Sequence, residues 1–377
     1  MKIAIVCDWL ITVGGAEKFL GHLLQCFPNA DVYAVVDFLP DRARQFLCDK
    51  KTYTTFIQKF PFAKKYYRYY LPFMPIAVEQ LDLSNYDLIL SSSHAVAKGV
   101  ITSPDQLHIS YVHSPMRYIW DLQHQYLRET GLSHQPYGWI IRYLLHKLRN
   151  WDVRSSHHVD YFLANSKFIA RRIHKIYRRD AEVIYPPIEL AKFSLAIEKE
   201  DFFVTASRFV PYKKIDLIVE SFAEMPDKKL IVMGDGPEFT KIKAKAKSNI
   251  TLLGFVSNEI LISYLQRAKA FIFAAEEDFG LLPVEAQACG TPVIAFGKGG
   301  ALETVCDLNN SKPTGIFFDS QTKSSLQSAI NLFETNQDLL DPNHCRENAL
   351  RFSPENFAYQ LTQFISEKWQ AFLQHKT

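Results

Sequence analysis

No stretch of the sequence stays apolar for the roughly 18 to 20 residues that a membrane-spanning helix needs, so any membrane contact is expected to be peripheral. Cysteine is sparse: Cys7, Cys26, Cys48, Cys289, Cys306 and Cys345 lie far apart, with no Cys-x-x-Cys pair and no histidine at zinc-ligand spacing. That excludes a disulfide scaffold and a zinc module, and fits a reducing, cytoplasmic setting. The formal net charge is only +3, too small to indicate nucleic acid as a partner. Asp-x-Asp does not occur, which removes a familiar metal-holding pattern, and Gly-x-Gly-x-x-Gly does not occur, which removes the dinucleotide fingerprint of nicotinamide dehydrogenases. The first apolar run, Ile3 to Val6, is cut off by Asp8, too soon for a signal-peptide core.

What is present is ample apolar material, 47% of 377 residues, enough for two hydrophobic cores. Short β-branched runs alternate with amphipathic stretches at Ile3 to Cys7, Asp31 to Val36, Leu88 to Ser91, His108 to Val112 and Tyr161 to Ala164. A second series runs through Phe202 to Ala206, Lys229 to Met233, Ile250 to Leu253, Ala270 to Phe273 and Pro292 to Ala295. Strand alternating with helix predicts a parallel sheet, here twice. The Pro186-Pro187 pair opens a linker over Tyr185 to Asp201. The tail from Ser353 to about His375 predicts a helix, with Ser353 as N-cap, Pro354 at the first position and Phe357, Leu361, Phe364 and Trp369 on one side.

The most informative segment runs from Ala274 to Ile294 and reads strand, loop, helix, turn, strand. Gly280 permits close backbone approach, and Pro283 suits the first turn of the helix that follows. Unpaired amides and the positive helix end at that place favour a phosphate. Glu277 and Glu285 flank it, separated by seven residues with Gly280 among them, so they do not share a helical face. Glu277 in the loop suits sugar hydroxyls and Glu285 in the helix suits a ribose diol, since carboxylates accept from diols. An exposed loop acid and an ordinary first-turn acid are the alternative readings.

A glutamate, seven residues, a second glutamate and then Ala-x-Ala-Cys-Gly-Thr-Pro-Val-Ile resembles glycosyltransferase family 4. The segment Ala206 to Lys214 resembles that family's strand-end loop, in which Arg208 and, five residues on, Lys213 would grip the donor diphosphate. Lys214 stands where the family usually has glycine. The pair would neutralise charge building on the leaving nucleotide, the work a metal does elsewhere. Met233-Gly234-Asp235-Gly236-Pro237 and Leu253-Gly254-Phe255-Val256-Ser257 match strand-end loops that meet the donor or its base, though generic turns would read the same. The resemblance implies donor contacts at Gly14, Gly15, Gly234, Gly254, Phe255, Asp278, Phe279, Gly280, Leu281, Leu282 and Glu285.

In the first half, Asp8 to Lys18 follows the first strand and opens a helix, so Gly14 and Gly15 would let amides approach the donor phosphate. His113 comes directly after a strand, where active-site groups gather, and resembles the family histidine that meets the donor sugar near its reacting carbon. The runs His113 to Asp121 and Ser91 to Gly99 look like those of bacterial GDP-mannose-dependent mannosyltransferases that build O-antigen and exopolysaccharide repeats. Between Lys50 and Val78 there is no acid, while Lys59, Lys64, Lys65 and Arg68 interleave with aromatics across residues 59–73. That pattern fits an anionic membrane surface and a lipid-diphosphate acceptor, or equally a packed helix with a solvated basic face.

The resemblance implies the α/β GT-B fold, two Rossmann-like domains whose parallel sheets face a central cleft. Residues 1–190 would bind acceptor, 191–355 the nucleotide sugar, and a helix over 356–377 would cross back to the first domain. The implied activity is a retaining, metal-independent hexosyltransferase with His113, Glu277, Arg208 and Lys213 in catalytic roles. It would use no cofactor, taking GDP-mannose or a UDP-sugar as donor and a lipid-linked or oligosaccharide acceptor. A non-catalytic nucleotide-sugar subunit and a glycoside hydrolase working through Glu277 and Glu285 are the other classes the residues admit.

Overall fold

The computed structural model describes residues 1–129 and 138–376. They divide into two units, Met1–Pro186 with Phe357–Thr377, and Pro187–Asn356. The last position of the expected tail, Thr377, lies outside the described residues.

Seven parallel strands form the sheet of the first unit: β1 (Ile3–Leu10), β2 (Asp31–Asp37), β3 (Thr52–Thr54), β4 (Leu88–Ser93), β5 (Leu107–Val112), β6 (Tyr161–Ala164) and β7 (Ala181–Val183). Their order is β3-β2-β1-β4-β5-β6-β7. Side chains alternate across a strand, so β1 serves two cores. Ile5 and Cys7 join Phe19, Leu20, Leu23 and Leu24 of the helix Gly15–Cys26 on one face. Ala4 and Val6 join Met74, Val78, Leu148 and Trp151 on the other. Coverage on both faces explains why β1 is continuously apolar rather than alternating with polar residues.

The helix Pro354–Lys376 starts with the Ser353 hydroxyl accepting from the Asn356 N–H at 3.1 Å. Phe357, Leu361 and Ile365, spaced by four, enter the Ile5 core. The Phe357 ring meets Phe19 edge-on at 5.3 Å, and Phe364 meets Tyr161 at 6.1 Å.

The second unit carries β8 (Glu200–Ala206), β9 (Leu230–Met233), β10 (Ile250–Gly254), β11 (Ala268–Phe273), β12 (Val293–Phe296) and β13 (Gly315–Phe318), all parallel, in the order β10-β9-β8-β11-β12-β13. Phe203, Val232, Ile272, Ile294 and Ile316 pack with Ile218 and Phe222 of the helix Ile215–Ala223 and with Ile330 and Phe333 of the helix Lys323–Thr335.

In both sheets the strand order reverses next to the first strand, between β1 and β4 and between β8 and β11. Loops at the carboxyl ends of such strands diverge and leave a crevice, where open α/β sheets bind ligands.

Residues 59–73 do not form the single helix admitted by the sequence. Short turns at Phe56–Lys59, Ala63–Tyr66 and Tyr67–Phe73 succeed one another, interrupted where Phe62 takes a left-handed φ of 54°. Pro61 and Pro72 deny the segment two helical N–H donors. Ile57, Ala63, Tyr67 and Met74 anchor it, while Phe62 and Tyr69 are 77% and 79% exposed.

Candidate active site

At the reversal point of the second sheet, the loops after β8 and β11 meet. The first carries Arg208, Lys213 and Lys214; the second carries Glu277 to Gly280 and runs into the helix Leu281–Ala288. Lys213 Nζ pairs with Glu277 Oε1, both half-buried. Lys213 also lies 5.3 Å from the centre of the Tyr212 ring. Arg208, two residues past the end of β8 in the same loop as Lys213, is exposed. Lys214 has a φ of 56°, the left-handed region that glycine occupies without strain. The family's usual glycine therefore reflects this turn, and the cation facing Glu277 is Lys213.

The position of Glu277 is set by a glycine pair that sequence reasoning passed over. Gly300 N–H donates to the Glu277 carbonyl at 2.8 Å. A Cβ on Gly299 would stand 2.4 Å from that carbonyl oxygen, and one on Gly300 would stand 2.4 Å from Phe279 Cα. Only two backbones without side chains between them can lie so close. The visible signal was a Gly-Lys-Gly-Gly run just past a strand.

The remaining expected donor contacts divide into two kinds. Gly280, with φ 86°, is the N-cap of the helix Leu281–Ala288, and no side chain caps that end. The amides of the first turn, including Leu281 and Leu282, have no partner within the helix, as at any helix start. Asp278 is half-buried beside it, and Glu285 lies one turn in, 8% exposed. Phe279 instead is buried against Phe352, with rings 5.4 Å apart, and so serves the core through its side chain. Gly234 serves packing too, since a Cβ there would lie 1.8 Å from the Ser207 carbonyl oxygen. Gly254 has φ 72° with open space around its missing Cβ, and the next residue, Phe255, is 85% exposed.

The first unit holds Gly14, Gly15 and His113 at its own strand ends. Both glycines are exposed at the start of the helix Gly15–Cys26, but the Gly14 N–H donates to Glu17 Oε2 at 2.8 Å, so the helix's own third residue caps it in return. Burial pushes the Glu17 carboxyl up. His113 Nε2 lies 2.8 Å from the Ser92 hydroxyl, and its carbonyl accepts from Asn165 at 2.9 Å. Burial, helped by the charge of His94, pulls the His113 imidazole down to about 3, so it is neutral at physiological pH. A neutral imidazole can donate one hydrogen bond and accept another, but it brings no charge of its own.

Two residues without an assigned role form the tightest polar cluster here. Asp8, at the end of β1, accepts from the N–H groups of His94 (2.6 Å), Ala95 (3.0 Å), Val96 (2.6 Å) and Ala97 (2.7 Å). Its Oδ2 also lies 3.0 Å from His94 Nδ1. Burial alone would raise its carboxyl, yet His94 and the amides prevail and hold it at about 2. In the Ser91–Gly99 run, Lys98 is buried and pairs with Asp152, which also accepts from Trp120 at 2.7 Å and Tyr177 at 2.9 Å. Lys98, in the short turn Ala97–Gly99 after β4, is therefore a core cation held between the helices Gly138–Ser156 and Lys167–Tyr177.

Among the described residues no group of three or more His, Cys, Asp or Glu is placed to hold a metal ion, and no helix is long and apolar enough to cross a membrane. All six cysteines are free.

A family model described as glycosyltransferase family 4 matches residues 13–192, and one described as glycosyl transferases group 1 matches residues 187–352. An uncharacterised glycosyltransferase of Methanocaldococcus jannaschii is 28% identical over 186 residues, 48% of this chain and 51% of that protein. An alpha-1,3/1,6-mannosyltransferase of Kluyveromyces lactis is 24% identical over 258 residues, 52% of this chain and 51% of that protein. The chain spans about half the length of these curated relatives. Among solved structures, Anabaena HepE in complex with UDP shares the fold, with a TM-score of 0.69 at 17% identity, covering 97% of this chain and all of that one.

Proposed function

Because the chain belongs to the family 4 glycosyltransferases with the GT-B fold, we propose that it is a retaining, metal-independent hexosyltransferase. The donor is GDP-mannose, and the acceptor is a lipid-linked or saccharide hydroxyl in cell-surface polysaccharide synthesis. The observation that carries the reading is the meeting of Lys213 and Glu277, drawn from two strand-end loops at the reversal point, beside the uncapped start of the helix Leu281–Ala288.

On this reading Arg208, Lys213 and the helix end receive the diphosphate, and Glu277 holds sugar hydroxyls. The bond between the anomeric carbon and the leaving phosphate oxygen breaks, and its electron pair stays with the phosphate. The acceptor oxygen attacks the same face of the anomeric carbon, and its proton passes to the departing phosphate oxygen. Positive charge and fixed amides aimed at the leaving group lower the barrier most, since that is where charge develops. His113, neutral, orients the sugar rather than acting as a charged acid. Mannose rests on the Ser91–Gly99 and His113–Asp121 runs and on the mannosyltransferase relative. The exposed aromatics and cations of residues 59–73 suit peripheral contact with anionic lipid at the inner membrane face.

The test is a donor panel of GDP-mannose, UDP-glucose, UDP-galactose and UDP-GlcNAc with membrane-lipid extract, with and without EDTA, reading nucleotide release and the product anomer. Release from GDP-mannose, unaffected by EDTA and giving the α-anomer, is expected. Release from a UDP-sugar alone, EDTA-sensitive turnover, or an inverted anomer each removes the corresponding part.

A further inference from the structure

We propose that His94 is an anion-binding residue of the first unit, clamped by Asp8 so that its outer face presents an N–H to a phosphate group of a substrate. The clamp is built from both sides. Asp8 has its two oxygens engaged by four backbone N–H groups and by His94 Nδ1, so it neither rotates nor offers itself to a ligand. With Nδ1 turned to Asp8, the nitrogen left to face outward is Nε2, and the side chain is 31% exposed. A carboxylate that is itself immobile fixes both the orientation and the charge of its imidazole partner, as second-partner carboxylates do for histidines elsewhere.

The surroundings suit an anion. His94 stands at the end of β4 and Asp8 near the end of β1, the reversal point of the first sheet. Trp9 meets the His94 ring edge-on at 4.7 Å and fixes its plane. Charged and titratable groups face it from each element packed against it. Asp8 comes from β1 and Glu17 from the helix Gly15–Cys26; Arg68 comes from the basic aromatic segment and His113 from the end of β5, 6.4 Å away ring to ring. Asp8 and Glu17 raise the His94 imidazole while burial and Arg68 oppose them, and the outcome is a raised value. Glu17 is occupied in capping Gly14, His113 is neutral, and Arg68 is an exposed second cation. An imidazole clamped by a carboxylate, within electrostatic reach of an exposed guanidinium, offers donors of the kind phosphate oxygens accept from. The phosphate could belong to the nucleotide diphosphate of a donor or to the diphosphate of a lipid-linked acceptor, and the chemistry of recognition is the same.

The experiment is calorimetric binding of inorganic pyrophosphate to the full chain carrying Lys213→Ala, which removes the main cation of the other unit, with and without His94→Gln. GDP and geranyl diphosphate follow in parallel arms. His94→Gln is expected to weaken pyrophosphate binding about tenfold near pH 6.5, with the difference shrinking as pH rises and the imidazole of the parent loses its proton. A loss confined to GDP assigns the phosphate to the donor; a loss confined to geranyl diphosphate assigns it to the acceptor. Unchanged affinity for all three ligands in a folded His94→Gln protein overturns the proposal. Should that variant not fold, the His94 imidazole resonance of the parent decides: it shifts on adding pyrophosphate, or the proposal is wrong. Binding is read without turnover, so the result stands whether or not sugar transfer is found.

Discussion

Lys213 and Glu277, 64 residues apart in sequence, neutralise each other across the mouth of the second sheet. On the proposed reading a diphosphate arriving at this place competes with Glu277 for the lysine, so the two residues should have opposite effects on nucleotide binding. Lys213→Ala is expected to raise the donor KM by about ten- to a hundredfold. Glu277→Gln is expected to cut kcat by about a hundredfold while GDP binds at least as tightly as to the parent. Calorimetry with GDP alongside initial rates checks both, and a Glu277→Gln protein that loses GDP affinity contradicts this division of roles.

Phe255 offers a cleaner separation of binding from stability. At 85% exposure its ring has almost no packing to lose. Phe255→Ala should leave the melting temperature unchanged and weaken GDP binding by about ten- to a hundredfold, the scale of one base–aromatic stack. Equal affinities would remove Phe255 from the donor site.

The glycines separate steric need from conformational need. Gly234→Ala drives a Cβ to 1.8 Å from a carbonyl oxygen, so the loops after β8 and β9 must part, at a cost above about 2 kcal/mol. Gly254→Ala meets open space and costs only about 1 kcal/mol for its positive φ. Urea denaturation of both variants tests the order; equal costs would mean that the approach of Gly234 to Ser207 is looser than described.

His113 makes stability depend on pH in a defined direction. Its folded value, about 3, lies below the 6.5 of a free imidazole, so between these the unfolded chain binds the extra proton. Stability falls as pH drops through that window, by up to about 1.4 kcal/mol per pH unit from this one group. His113→Gln should flatten the slope measured by denaturation between about pH 6 and pH 4. An unchanged slope would place the acid sensitivity on other groups, His108 first, since burial draws it down to about 4.

Lys98 and Asp152 test whether the Ser91–Gly99 run carries fold or chemistry. Removing one partner strands a buried charge, for which about 3–5 kcal/mol is typical. Asp152→Ala should exceed Lys98→Met, because it also leaves the Trp120 N–H and Tyr177 hydroxyl without their acceptor. Comparable losses in the two variants would argue against that shared role of Asp152.

Strands covered on both faces could be read from the sequence because such burial writes an unbroken apolar run, as at Ile3 to Cys7 and Ala270 to Phe273. β3 and β7 hold three residues each, at sheet edges, where so short a run leaves no period to detect. The Glu277 to Gly280 loop announced itself by local chemistry, glycine before a helix and acids beside it. Asp8 and His94 did not, because their meeting depends on β4 returning beside β1 from 86 residues away. Gly234 and Phe279 illustrate the converse: residues that match a binding motif contribute through close packing of the loops that carry it.

The position of the last helix bears on how the protein is made. Synthesis delivers all of Pro187–Asn356 before Phe357, Leu361 and Ile365, so the Ile5 core of the first unit waits for three of its side chains until the second unit has been translated. Until that helix arrives, the half of the chain that is translated first remains the half with apolar surface to shield.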